Sequence, residues 1–397
     1  MRRLFLLVAS VILVDTMFYS AITPLLPQYA DDLGLSKTAA GVLSASYAAG
    51  TLLAALPSGF LAAKIGFRST MLAGLALLGV SSVAFAFAED VVVLDLARFA
   101  EGVGGACAWT GGLAWLLAAA PADRRGEVIG GALAAAIFGI LLGPVIGSVA
   151  TLTGPEVVFS SVAVIASGLA IWVWTTPGIT PGGVPSVRRV AAAVATAPIL
   201  FAFWLVVLPS VLSGLFDVLI PLRMDDLGAS GIAVGAAFFV AAGIEAFTAP
   251  AIGRASDRRG RMIPIRAGLL ASPIAALLLP LPESLVLLAV GLVIVVLAMS
   301  LIWTPAMALL SDNAEAAGLD LAFASALVSL AWAGGQVLGS SAFVGLADAS
   351  TDAVAYALVA GLFLVTLAAL LGRRRPALSA ARVRVAADHG RARGRGR

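Results

Sequence analysis

Long stretches without a charge decide what this chain can fold into. Twelve segments run for about 20 residues with few or no Asp, Glu, Lys or Arg: 4–27, 38–60, 69–88, 93–119, 128–150, 157–175, 199–221, 231–252, 262–281, 284–310, 320–346 and 353–371. A bilayer core about 30 Å thick needs about 20 apolar residues per helix. The runs are long and do not alternate polar with apolar, so they read as spanning helices rather than barrel strands. Composition agrees: 61% of the 397 residues are hydrophobic, 12% are charged, and the mean hydropathy is +1.05, whereas soluble chains carry about 25% charged residues. Met1-Arg2-Arg3 followed by Leu4–Val14 opens like a secretory signal, yet the apolar stretch runs on to Pro27 without a small-residue cleavage site. An uncleaved first span is expected. One Cys (Cys107) and one His (His389) leave no material for a disulfide framework or a Cys/His metal cluster.

Charge sets the expected orientation. With the N-terminus in the cytoplasm, 22 of the 25 Lys/Arg residues fall on that side, only Lys37 and Arg223 fall outside, and Arg98 lies within a span. Basic residues concentrate in cytoplasmic loops, so both termini are expected in the cytoplasm and the protein in the inner (cytoplasmic) membrane of a cell.

The chain also repeats itself. Asp31-Asp32-Leu33-Gly34 recurs as Asp225-Asp226-Leu227-Gly228, and at the same shift of 194 residues Gly59 meets Gly253 and Gly66 meets Gly260. Two six-span halves in parallel orientation follow, an architecture in which substrates bind at the interface near mid-membrane. The expected organisation is all-α: a six-helix bundle over 1–175, a Pro/Gly-rich cytoplasmic linker over 176–198, a second bundle over 199–372 and a basic, disordered cytoplasmic tail over 373–397. The tail holds nine Arg and one acid. It suits anionic headgroups, and nothing in it supports nucleic-acid binding.

Several motifs carry a resemblance. Gly253-Arg254-Ala255-Ser256-Asp257-Arg258-Arg259-Gly260-Arg261 resembles the inner-loop signature of the major facilitator superfamily. The first-half copy keeps Gly59 and Gly66 but has Ala63 where the acid belongs. Arg98-Phe99-Ala100-Glu101-Gly102-Val103-Gly104 is similar to the family's span-4 motif, with Glu101 in place of Gln. Gly139, Gly143, Pro144 and Gly147 match its span-5 antiporter motif, and Asp15 ahead of Pro24 and Pro27 is similar to the twelve-span drug:proton antiporters. The resemblance implies the major facilitator fold and conformational roles for Gly59, Gly66, Gly139, Gly143, Pro144, Gly147, Gly253, Asp257, Arg258, Gly260 and Arg261. It also implies an inner latch that rests on Asp257 alone or is weaker.

The same residues can be read physically. Asp15 comes about eleven residues into the first span, about 17 Å deep, where an ionised Asp costs about 2.5–3.5 kcal/mol. It is either a proton carrier or a structural Asp bonded to a neighbouring helix. Tyr19, four residues on, shares its face, as cavity lining or as packing. Arg98 needs a partner, and Glu101 at i+3 is nearest. The pair is either static, or Arg98 moves between Glu101 and Asp15. Trp109 lies three turns from Arg98 on the same stripe. Asp217, near Pro221, and Glu245, with no cation near it in sequence, are candidate substrate or coupling acids. Gln336 beside Gly334-Gly335 reads as interhelical glue or ligand. Trp303 joins the aromatics suited to an organic substrate. Gly139, Gly143 and Gly147, four apart, leave a groove for another helix, expected to ease rocking between the bundles.

No phosphate-binding loop of the Gly-x-x-x-x-Gly-Lys-[Ser/Thr] type occurs. The energy source is therefore an ion gradient, with no cofactor. One charge crossing 100 mV releases about 2.3 kcal/mol. Three readings remain: a proton-coupled antiporter exporting amphipathic or cationic drug-like molecules, a proton symporter importing a metabolite, and a non-transporting sensor or membrane enzyme, the last poorly equipped with nucleophiles. The expected partners are the bilayer, protons and a small molecule, with the chain acting as a monomer.

Overall fold

The protein is seen in a computed structural model that describes residues 1–121, 125–179, 194–319 and 321–372, and only the backbone at 125–127, 129, 321 and 322. The basic tail and most of the expected linker lie outside the described residues. All regular structure among the described residues is helical, in the twelve expected spans. The first, α1, runs Arg2–Ser20, tightens into a 3-10 turn at Thr23–Leu25 and continues as Leu26–Asp32. There follow α2 (Lys37–Ile65), α3 (Phe67–Ala86), α4 (Val91–Ala119), α5 (Arg125–Thr153), α6 (Pro155–Thr175), α7 (Ala197–Asp226), α8 (Gly231–Arg259), α9 (Met262–Leu278) and α10 (Leu285–Ala316). α11 comprises Leu321–Val337, a π-helical stretch Leu338–Phe343 and Val344–Ala349, and α12 is Asp352–Gly372. Ten helical segments are long and apolar enough to cross a membrane. α4, which carries Asp95, Arg98 and Glu101, and the shorter α9 complete the twelve.

Several boundaries differ from expectation. α2 runs past residue 60 to Ile65, because Gly59 sits inside the helix and only Gly66, at φ 94°, breaks it. α10 continues past 310 through a polar turn to Ala316, since a helix may project beyond the lipid, and α9 stops at Leu278 rather than 281.

The 194-residue repeat is visible in backbone geometry. Gly34 and Gly228 take φ 61° and 82°, and Gly66 and Gly260 take φ 94° and 89°, a left-handed region that side-chain-bearing residues avoid. Ser36 caps α2 through Ala39 N–H, and Ser230, at the same shift, caps α8 through Ala233 N–H. Packing repeats too. In the first half α1 packs on α5, α2 on α4, and α3 on α4 and α6; in the second, α7 packs on α11, α8 on α10, and α9 on α10 and α12. The halves meet along two seams, α2 with α11 and α5 with α8, which exchange under the same six-helix shift.

Both seams close on the side away from the chain termini. There Lys37 Nζ pairs with Asp352 at 2.6 Å, and Thr38 donates from N and Oγ1 to Asp348 at 3.1 and 2.6 Å. Ser148 Oγ donates to the Gly231 carbonyl at 3.3 Å. On the terminal side, a Cβ at Gly59 would meet nothing within 4 Å, and one at Gly253 only Thr304 of its own half. Among the described residues, the ion pair and hydrogen bonds between the halves lie on the side away from the termini and at mid-membrane, which leaves the cleft between them on the terminal side.

The span-5 glycines pack against α1 of their own half rather than across a seam. A side chain at Gly139 would come within 2.5 Å of the Leu13 carbonyl, and one at Gly143 within 2.6 Å of the Met17 carbonyl, both in α1 of the same half. The partner helix supplies small polar residues at the same period of four: Thr16 Oγ1 donates to the Ala136 carbonyl at 3.1 Å and Ser20 Oγ to that of Ile140 at 3.2 Å. In lipid, where apolar burial gives no drive, such close contact and interhelical hydrogen bonding hold helices together. The seam to α8 uses the other face of α5, through Pro144, Ser148 and Thr151 against Gly235 and Gly231.

Gly143→Val forces α1 and α5 apart, an overpacking that costs about 1–3 kcal/mol, whereas Gly59→Ala enters open space. Thermal unfolding in detergent is expected to fall by several degrees for the first and stay unchanged for the second; equal melting of the two would refute the close contact.

Candidate functional site

The break in α1 creates the first element of the site. Pro24 has no N–H for the Ser20 carbonyl, so the helix stops at Ser20. The last carbonyls of a helix lack internal partners. Arg98 of α4 supplies them, donating from Nη2 to the Tyr19 carbonyl at 3.0 Å and from Nη1 to that of Phe18 at 3.4 Å. Its charge is balanced by Glu101, whose Oε2 lies 2.9 Å from Nη1, and Ser82 of α3 donates to Glu101 Oε1 at 3.2 Å. Arg98 and Glu101 are 0% and 1% exposed. The static-pair reading describes this conformation. The guanidinium also lies over the ring of Tyr47, 5.3 Å from its centroid.

Asp15 is 1% exposed, in the wall of the first half. It does not line open water, and in this conformation Arg98 bonds Glu101 and not Asp15. Its Oδ2 accepts from Tyr47 Oη and Trp109 Nε1, each at 2.9 Å, and Oδ1 has no partner. Gly105 faces it: a Cβ there would lie 2.6 Å from Oδ1, so the glycine makes room for the carboxyl. Half-buried Trp109 covers it.

A second acidic centre bridges the halves. Gln336 Nε2 of α11 donates to Asp217 Oδ2 of α7 at 2.8 Å and to Tyr19 Oη of α1 at 3.0 Å, while its Oε1 accepts from Ser213 at 2.8 Å. Gln336 thus serves as glue and as a ligand to the acid. Around it stand Tyr47, its ring 4.8 Å from that of Tyr19, and Trp332, edge-on to Tyr19 at 5.3 Å. A cavity of ≈ 100 Å³ adjoins, lined among others by Tyr19, Ser44, Arg98, Asp217 and Phe238. Drug-sized ligands take about 300–1,000 Å³, so the cavity in this conformation is too small to enclose one. Among the described residues, no cation pairs with Asp15, Asp217 or Glu245.

Glu245 stands apart from this centre. It accepts from Ser300 Oγ of α10 at 2.5 Å, and neither it nor Trp303 bonds the Gln336 cluster. On the terminal side Asp257 and Arg258 are exposed, and Arg261 pairs with Asp312 of its own half at 2.6 Å. Among the described residues Asp257 has no ion-pair partner.

Sequence reading missed Tyr47, Trp332, Ser213 and Ser300. Trp332 was within reach, four residues before Gln336 and so on one helical face. Tyr47 offered no such signal, since its role depends on α2 lying between α1 and α4.

Comparisons with known proteins add to this geometry. A family model described as the Major Facilitator Superfamily matches residues 8–339 and again 203–390. A probable vesicular acetylcholine transporter-B of Danio rerio is 37% identical over 163 residues, 37% of this chain and 32% of its own length. A synaptic vesicular amine transporter of Mus musculus is 29% identical over 171 residues, 42% and 33% of the two chains. The chain thus spans about a third of the length of these curated relatives. Among solved structures, a bacterial homologue of the lysosomal transporter Spinster superposes with a TM-score of 0.72 at 15% identity, over 93% of this chain and 94% of the other. The xylose transporter XylE from E. coli gives 0.70 at 15% identity, over 94% and 98%. These two likenesses concern the fold alone.

Removing one member of a buried ion pair strands the other, at about 3–5 kcal/mol. Glu101→Ala is therefore expected to lower the yield of folded protein sharply, while Glu101→Gln, which can still accept from Arg98 and Ser82, keeps most of it. Gel filtration of the detergent-extracted variants reads the difference.

Proposed function

The chain belongs to the Major Facilitator Superfamily, and on that premise we propose that it is a secondary transporter that exchanges protons for small organic cations across the cell membrane. The observation that carries this reading is Asp217, a carboxylate at the meeting point of the halves, without a cationic partner among the described residues and beside the rings of Tyr19, Trp332 and Phe238. A carboxylate with aromatic faces attracts ammonium groups. An intramembrane acid without a partner is a functional site by default. The relatives named for amines and for acetylcholine carry substrates of that charge in their names.

In this reading the first bundle, 1–175, rocks against the second, 199–372, as a monomer. Positive charge places the termini in the cytoplasm, so the cleft faces inward and takes cargo from that side. Asp217 binds either a proton or the cation. Asp15, with the Arg98–Glu101 pair beside it, carries the coupling proton, and the aromatics with Gln336, Glu245 and Trp303 line the path of an amphipathic, drug-like substrate. A monovalent cation exchanged for one proton moves no net charge, so the pH difference is the drive, about 1.4 kcal/mol per unit. Export, and with it drug efflux, follows from an acidic exterior.

Proteoliposomes loaded at low internal pH and given labelled tetraphenylphosphonium outside test the scheme. We expect uptake with proton release, reduced about tenfold or more in Asp217→Asn, and weaker probe binding as pH falls, because the protonated acid no longer attracts a cation. Movement of protons and substrate in the same direction would establish a symporter instead.

A further inference from the structure

We propose that Tyr47 and Tyr19 form a positional relay through which the proton state of Asp15, in the first half, is felt at Gln336 and Asp217 in the second. The relay deepens the proton-exchange reading and rests on it. Each link is a contact. Tyr47 Oη donates to Asp15 Oδ2 at 2.9 Å. The Tyr47 ring stacks on Tyr19 at 4.8 Å, tilted by 45°, and both rings lie under Arg98, at 5.3 and 6.0 Å. Tyr19 Oη accepts from Gln336, whose amide nitrogen also serves Asp217.

The chemistry gives these links a direction. An ionised carboxylate holds its donors in strong, charge-assisted bonds, and a protonated one releases them. Of the helices packed on α1, α2 brings Tyr47 and α4 brings Trp109, Arg98 and Glu101 to Asp15; among the described residues no titratable group of α5 or α6 acts on it. With the Tyr47 hydroxyl released, the ring loses its tether to Asp15 and keeps its contacts with Arg98 and Tyr19. The contact between the tyrosines is ring to ring, so it passes on displacement, and no proton travels along it.

At the far end the amide of Gln336 has two N–H groups, and both are used. A shift of Tyr19 frees one of them, which changes the hold on Asp217. Gln336 also sits two residues before the π-helical stretch Leu338–Phe343, a distortion often found at functional sites. There Ser340 Oγ donates to the Gly214 carbonyl at 3.0 Å, and the Ser340 carbonyl faces Gly41 of the first half. The relay thus ends at the seam that closes the cleft on the side away from the termini.

A double-mutant cycle on the full chain in detergent tests the link, read by tetraphenylphosphonium binding. Tyr47→Phe keeps the ring and removes only its hydroxyl. Asp15→Asn is expected to change the Kd about fivefold or more in the parent and by less than about twofold in Tyr47→Phe. Equal shifts in both backgrounds, or none in the parent, overturn the relay. A second readout needs no ligand: hydrogen exchange of residues 332–343 should change about threefold or more on Asp15→Asn in the parent and stay constant in Tyr47→Phe. Unchanged exchange in the parent overturns the relay as well. If the probe fails to bind the parent, the organic-cation reading falls, and hydrogen exchange alone decides the relay.

Discussion

A guanidinium held inside the membrane organises the first half of this protein. An Arg at the centre of a spanning helix costs about 2.5–3.5 kcal/mol, and Arg98, a quarter of the way along α4, is tolerated because acceptors face it. Glu101 balances the charge, and the carbonyls of Phe18 and Tyr19, free at the break in α1, accept from its terminal nitrogens, while Nε has no partner among the described residues. The broken helix and the buried charge resolve each other. Without the break Arg98 would keep Glu101 alone as acceptor, and without Arg98 the end of the first α1 segment would be left unsatisfied in a medium with no water.

That arrangement fixes the rings. Tyr47 and Tyr19 lie beneath the guanidinium, and their hydroxyls face opposite ways, one to Asp15 and the other to Gln336. The cluster therefore touches the interior of one half and the interface with the other. The rest of the fold keeps this geometry tight yet movable. Within a half, glycines and small hydroxyl residues bring α1 onto α5 and α7 onto α11 at backbone distance. Between the halves, contact runs along two seams, with an ion pair and hydrogen bonds on the side away from the termini and the Gln336–Tyr19 bond at mid-membrane. Bodies that are stiff inside and meet along such seams suit alternating exposure of a site between them.

The charge distribution is uneven between the two ends of the cleft. On the side away from the termini Lys37 and Thr38 meet Asp352 and Asp348 across the halves. On the other side, Ala63 near the end of α2 carries no charge, and Asp257 and Arg258 are exposed. Exposed ion pairs contribute about 0–1 kcal/mol each, so this difference biases which end is shut without locking it.

Much of the architecture could be read from residue order. Uncharged runs gave the helix count because lipid leaves a spanning chain almost no other choice, and the shift of 194 residues gave the two halves because turn glycines must recur wherever the backbone geometry recurs. The Arg98–Glu101 pair was legible from its i, i+3 spacing. Contacts between distant helices were not: the sequence placed Asp15 at mid-membrane, but only packing decided that it faces Tyr47 and Trp109 rather than open water. Likewise the glycines of α5 announced a close helix contact, and only the fold chose α1 as the partner. Local spacing determines which residues share a helical face; which other face they meet is set by the arrangement of twelve helices at once, and that is a property of the tertiary structure alone.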